Sequence, residues 1–156
     1  MPDHLRFLSL WERLAEDGEM ATGILPTRDS LYASVKAQIE RLLNSRCPGG
    51  FDRHPHVRRS VMNYGLPDLA GMGSRPLDRK RLIRDVETAI EAFEPRVEAV
   101  KVAVDDRVRT TAGAILHLTI TGRIKAWPEP LPLDLGSRID IGTGQVTLVQ
   151  RRGQGG

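Results

Sequence analysis

The chain has 156 residues, 40% of them hydrophobic and 28% charged, which is the balance of a single globular domain able to bury a core. Its net charge of +3 is too small to argue for nucleic acid by itself, and no apolar run approaches the roughly eighteen residues of a membrane-spanning helix. The single cysteine, Cys47, excludes an internal disulfide, and no basic segment followed by an apolar run marks a secretory signal, so a reducing cytoplasm is the expected location.

Residues 1–26 read as a short helix and a tether. Ser9 and Glu12 have the spacing of a capping box, and Leu10, Trp11 and Leu14 form the apolar side of the helix they open. A helix this short is unstable alone. Trp11 therefore packs either on its own domain or, as a docking peptide, in a groove of another subunit. The main domain spans 27–150. Asp29 or Ser30 is expected to cap its first helix, whose stripe is Leu31, Val35, Ile39 and Leu42, with Lys36, Glu40 and Arg41 facing water. The helix should end near 44–46, ahead of Pro48-Gly49-Gly50. Residues 47–75 read as irregular, with a helical turn near Val57, Val61 and Met62 and turn chemistry at Tyr64-Gly65-Leu66-Pro67-Asp68.

A second helix is expected from about 77 onward. Leu82, Ile83, Val86, Ala89, Ile90 and Phe93 make its apolar stripe, and Arg81 and Asp85 can pair on the wet side. Pro95 stops it, because proline has no N–H to donate and disfavours helical backbone at Glu94. The period then changes. Val100, Val102 and Val104 alternate with Lys101 and Ala103, which is strand spacing. A long connection through Asp105, Asp106, Arg107, Ala112 and Gly113 leads to a second strand, in which Leu116, Leu118 and Ile120 alternate with His117, Thr119 and Thr121 and which runs on past Gly122 toward Lys125. The stretch 127–132 holds three prolines and suits an extended linker or a sheet edge. Leu133, Leu135, Ile139 and Ile141 indicate a strand broken at Gly136. Thr143-Gly144 is a hairpin turn, and Val146 and Leu148 against Thr147 and Val149 form the last strand. Residues 151–156 read as a disordered tail. Helices followed by a block of antiparallel strands give an α+β fold, two main helices packed on an antiparallel or mixed sheet after a short N-terminal helix.

Glu94 and Arg96 flank a rigid corner, with charges free to reach outward. A carboxylate and a planar five-donor guanidinium suit docking on a partner, but they also suit an internal ion pair that holds the corner together. A glycosidase needs paired carboxyl groups in different surroundings around a sugar cleft. Glu94, Glu98, Asp105 and Asp106 supply carboxylates in number only. His54-Pro55-His56 lacks a third metal ligand nearby, and Gly71-Met72-Gly73 lacks the context of a phosphate loop. Arg53, Arg58 and Arg59, with Arg75, Arg79, Lys80 and Arg81, form two basic clusters without interleaved aromatics for stacking bases. No catalytic, metal or cofactor residues are assigned.

Ala92-Phe93-Glu94-Pro95-Arg96-Val97 resembles the Glu-Pro-Arg motif of the phage baseplate wedge family, once called lysozyme-like. Four further passages add to the resemblance in the expected order: Ser9-Leu10-Trp11-Glu12-Arg13-Leu14, Ile39-Glu40-Arg41-Leu42-Leu43-Asn44-Ser45-Arg46, Val61-Met62-Asn63-Tyr64-Gly65-Leu66-Pro67-Asp68-Leu69 and the closing strand at 145–149. Within the family the chain is most similar to the TssE subunits of type VI secretion. The resemblance implies a structural protein of a contractile injection baseplate, assembled on the cytoplasmic side of the bacterial inner membrane, that links wedge to sheath and seeds sheath assembly. It implies that Glu94, Pro95 and Arg96 bind a helical bundle of other wedge subunits. It also implies that the helix carrying Leu10, Trp11 and Leu14 docks beside TssF-, TssG- and TssK-like partners. Gln145, Val146, Thr147, Leu148 and Val149 would accept a strand from a sheath subunit. Nucleic-acid binding, membrane insertion and a cofactor are not expected. A generic cytoplasmic interaction module is the alternative, and a glycan hydrolase comes third.

Overall fold

The computed structural model describes residues 27–47, 64–67, 79–105, 115–126 and 128–151. The N-terminal helix, the histidine loop at 54–56, the turn near Val57, the basic residues Arg53, Arg58, Arg59 and Arg75, and the glycines at 71 and 73 lie outside them. So do most of the connection after Asp105, Trp127 and residues 152–156.

Among the described residues, two helices come first. Helix α1 is Arg28–Asn44 and helix α2 is Arg79–Phe93. Thr27, not Asp29 or Ser30, caps α1: its backbone is extended, and its Oγ1 accepts from the Ser30 N–H at 3.2 Å. That puts Asp29 in the first turn, where its charge suits the helix dipole. Leu31, Val35, Ile39 and Leu42 are buried as expected, and Leu43 and Gln38 join them. Arg46 lies just past the C-terminus of α1 and donates from Nη1 to the Leu43 carbonyl at 3.2 Å and from Nη2 to the Gly144 carbonyl. Helix α2 buries Leu82, Val86, Ala89 and Ile90, with Ile83 and Phe93 half-buried, and stops one residue before Glu94. Arg81 and Asp85 pair at 3.9 Å on its wet side.

The strands are β1 Val97–Val104, β2 Ile115–Ile124, β3 Leu131–Asp140 and β4 Val146–Gln150. They form one four-stranded sheet in the order β1-β2-β3-β4, and every neighbouring pair is antiparallel. This is an α+β fold whose core lies between the helices and one sheet face, with Leu118, Ile120, Leu135 and Ile139 among its buried side chains. No helix among the described residues is long and apolar enough to cross a membrane.

Two features depart from simple alternation. In β1 the inward residues are Val97, Val100 and Val102, a phase jump of three. A bulge between Glu98 and Lys101 absorbs it, with Ala99 at a positive φ of 53°. Opposite the bulge stands Gly122, where an added Cβ would sit 3.1 Å from the Glu98 carbonyl oxygen, so glycine lets the two strands close there without either backbone giving way.

The second feature corrects the expected break at Gly136. Strand β3 runs through it, because Leu131, Leu133, Leu135, Ser137 and Ile139 keep one phase and are all buried. Gly136 stands on the opposite face, and the Arg151 stem fills the space above it, with Cγ 3.5 Å from where a Cβ would be. Arg151 therefore belongs to the folded unit. Its N–H continues the ladder to the Asp134 carbonyl at 3.1 Å, and its guanidinium reaches Thr119 Oγ1 at 2.6 Å and Asp105 Oδ2 at 3.3 Å. Pro132 sits where β3 has β2 on one side and no β4 partner on the other, the edge position its missing N–H requires.

Candidate functional site

The corner between α2 and β1 is built by its own side chains. Glu94 donates its N–H to Ile90 O at 2.8 Å, and its carbonyl accepts from Val97 N–H at 3.1 Å, so Pro95 and Arg96 form the turn. The Glu94 carboxylate folds back onto Arg96. Oε1 accepts from the Arg96 backbone N–H at 3.1 Å and from Nε at 2.8 Å, and Oε2 accepts from Nη2 at 2.7 Å. Nη1 donates to Ser34 Oγ on α1 at 2.8 Å. Glu94 is 1% exposed and Arg96 5%.

The expectation that both charges reach outward therefore does not hold. Across a proline turn the two side chains lie close enough to form a two-point fork, and burial strengthens that fork. What the corner shows to the outside is Pro95, which is exposed. Lys125 closes the far side of the corner, its N–H bonding the Arg96 carbonyl at 2.8 Å and its Nζ the Pro95 carbonyl at 2.9 Å. The corner thus joins α1, α2, β1 and the end of β2. Nearby, Tyr64 packs edge-on against Phe93 at 5.2 Å between ring centroids, and burial raises its pKa.

The second surface is β4. The strand order makes it a sheet edge. Val146 and Leu148 point into the core, while Gln145, Thr147 and Val149 are exposed, Val149 by 62%. In an antiparallel ladder the main-chain groups of alternate residues point away from the paired strand. Here Gln145 and Arg151 bond to β3, so those of Val146, Leu148 and Gln150 point out from the sheet. Side chains of α1 meet them. Asn44 Oδ1 accepts from Val146 N–H at 2.9 Å, Asn44 Nδ2 donates to Val146 O at 2.8 Å, and Glu40 Oε1 accepts from Leu148 N–H at 3.0 Å.

Among the described residues, the opposite edge has a single counterpart, Glu87 Oε1 of α2 accepting from Val102 N–H at 2.8 Å. Sequence reasoning assigned Glu40 to solvent and missed Asn44, Glu87 and Ser34. The legible signal was the four-residue spacing of Glu40 and Asn44 directly beside the apolar stripe, which is where side chains of a packed helix reach a neighbouring strand. Leu10, Trp11 and Leu14 lie outside the described residues.

No curated protein and no solved structure matches this chain. The family described as "Baseplate wedge protein gp25" matches residues 29–129, more than half of the chain, from the first turn of α1 past the end of β2. The chain therefore belongs to the gp25 family of baseplate wedge proteins.

Proposed function

We propose that this wedge protein serves a type VI secretion baseplate on the cytoplasmic side of the inner membrane and seeds the contractile sheath by accepting a strand at β4. The observation that carries this reading is that β4 is the last strand on one side of the antiparallel sheet, and the ladder ends there. Such an edge is a template for main-chain pairing with another chain. The role is structural and involves no turnover. The corner takes part as a contact for the helical bundle of TssF- and TssG-like subunits, with TssK-like subunits beside them. Pro95 meets the partner, and Glu94 and Arg96 brace it from within. The helix bearing Leu10, Trp11 and Leu14 supplies a second wedge contact.

The test is a pull-down from the source cells with the tagged full chain, its Pro95→Glu variant and its Gln150→Pro variant, each checked for folding. Gln150→Pro removes an outward N–H and leaves the ladder to β3 intact. Wild type is expected to retain wedge and sheath subunits, Gln150→Pro to lose the sheath alone, and Pro95→Glu to lose the wedge subunits. Wild type retaining neither class would sink the type VI reading. Undiminished sheath capture by Gln150→Pro would remove β4 as the accepting edge.

A further inference from the structure

The two caps on β4 repeat the geometry of a strand. Asn44 engages both the N–H and the C=O of Val146 through one side-chain amide, as a residue of a neighbouring strand does through its own main chain. Glu40 takes the next outward donor, Leu148 N–H, two residues further along. The spacing works because four residues of helix rise about 6 Å and two residues of antiparallel strand advance about 6.8 Å, so Glu40 and Asn44, four apart on α1, fall opposite Leu148 and Val146, two apart on β4 and in reverse order along the chain. Among the described residues the β1 edge has no such pair, only Glu87 on Val102.

We propose that the last turns of α1 stand in for a fifth strand, and that Glu40 and Asn44 form a latch which a strand of the sheath subunit must displace from β4. This rests on the strand-addition reading above. The caps fill the outward groups of Val146 and the Leu148 N–H. Among the described residues they leave the Leu148 carbonyl and the outward groups of Gln150 without a cap.

An arriving strand pairs first at Gln150 and then replaces Glu40 and Asn44 in turn. Each hydrogen bond given up by a cap is exchanged for one to the arriving strand, so the gain comes from the groups α1 leaves open. Asn44 is exposed and Glu40 half-buried, so both side chains return to water on release and neither is stranded in the core. In the free subunit the same caps keep β4 from pairing with a second copy, the usual hazard of an open edge.

The test uses amide hydrogen exchange on the full chain, followed by the rate at which the purified sheath subunit of the same system is captured. In Glu40→Ala/Asn44→Ala the Val146 and Leu148 amides should exchange about tenfold faster or more, with β2 and β3 amides unchanged. The variant should also capture the sheath subunit several-fold faster than wild type. Glu40→Ala alone should speed Leu148 and not Val146, and it decides the matter if the double variant does not fold. Glu40→Gln, which keeps an acceptor oxygen, should protect Leu148 as wild type does.

Unchanged exchange at Val146 and Leu148 overturns the latch whatever the sheath does. Faster exchange with capture no faster than a wild type that does capture overturns the latch and leaves strand addition standing. Capture by neither form overturns both.

Discussion

At the scale of single residues, Arg96 decides how the corner is built. A guanidinium this deep is tolerated because Nε and Nη2 face the Glu94 carboxylate and Nη1 faces Ser34. Removing one partner leaves a buried charge, which costs about 3–5 kcal/mol. Glu94→Ala is expected to destabilise by that much in urea unfolding. Glu94→Ala/Arg96→Ala is expected to cost clearly less than the two single changes added together. Strictly additive costs would refute the internal brace. Position was legible in the sequence, since Pro95 fixes the corner and names its two neighbours. Direction was not. A side chain at a turn points where the surrounding elements leave room, and Ser34 comes from a helix some sixty residues earlier in the chain.

At the scale of elements, apolar period located both helices and all four strands, because burial on one face is what those periods record. Caps, bulges and edge partners were the parts it missed. Alternation from Val100 to Val104 was visible, but the bulge that brings Val97 into phase with it is packed closely against Gly122 of β2, a contact between strands. Ala99 there carries a left-handed backbone that costs an L-residue about 1–2 kcal/mol, while glycine has a looser unfolded chain to order. Ala99→Gly is therefore expected to stabilise by about 0.5–1 kcal/mol in urea unfolding, relief of strain exceeding the added entropy. A loss of stability would show that the bulge is held without strain. Gly136 carries the opposite lesson. A glycine flanked by leucines and isoleucines reads as a break, yet it is the place where Arg151 crosses the sheet.

At the scale of the whole molecule, the two tyrosines tie α1 to its neighbours. Tyr32 O–H donates to the Asp134 carbonyl on β3 at 3.0 Å, and Gln38 Nε2 of α1 donates to Tyr64 O–H at 3.2 Å. Burial raises the pKa of both phenols above the ordinary 10.0. A pKa raised on folding means the neutral phenols contribute stability that is fully present below pH 10 and is lost as pH rises through their folded values. Phenolate absorbance should therefore appear above the ordinary tyrosine range, alongside unfolding in alkali. Titration at the ordinary value in the folded chain would show that neither ring is tied in.

The sequence by itself determined the layout: helices first, strands after, a proline corner between them and an apolar set able to fill one core. These depend on spacing along the chain, which is local. Only the tertiary structure decided what the polar groups do. Whether Glu94 meets Arg96, whether Glu40 and Asn44 meet water or β4, and which strand stands at the edge all depend on residues brought together from distant parts of the chain. A polar side chain is held by whatever partner the packed core places within about 3 Å of it, and no period in the sequence records that.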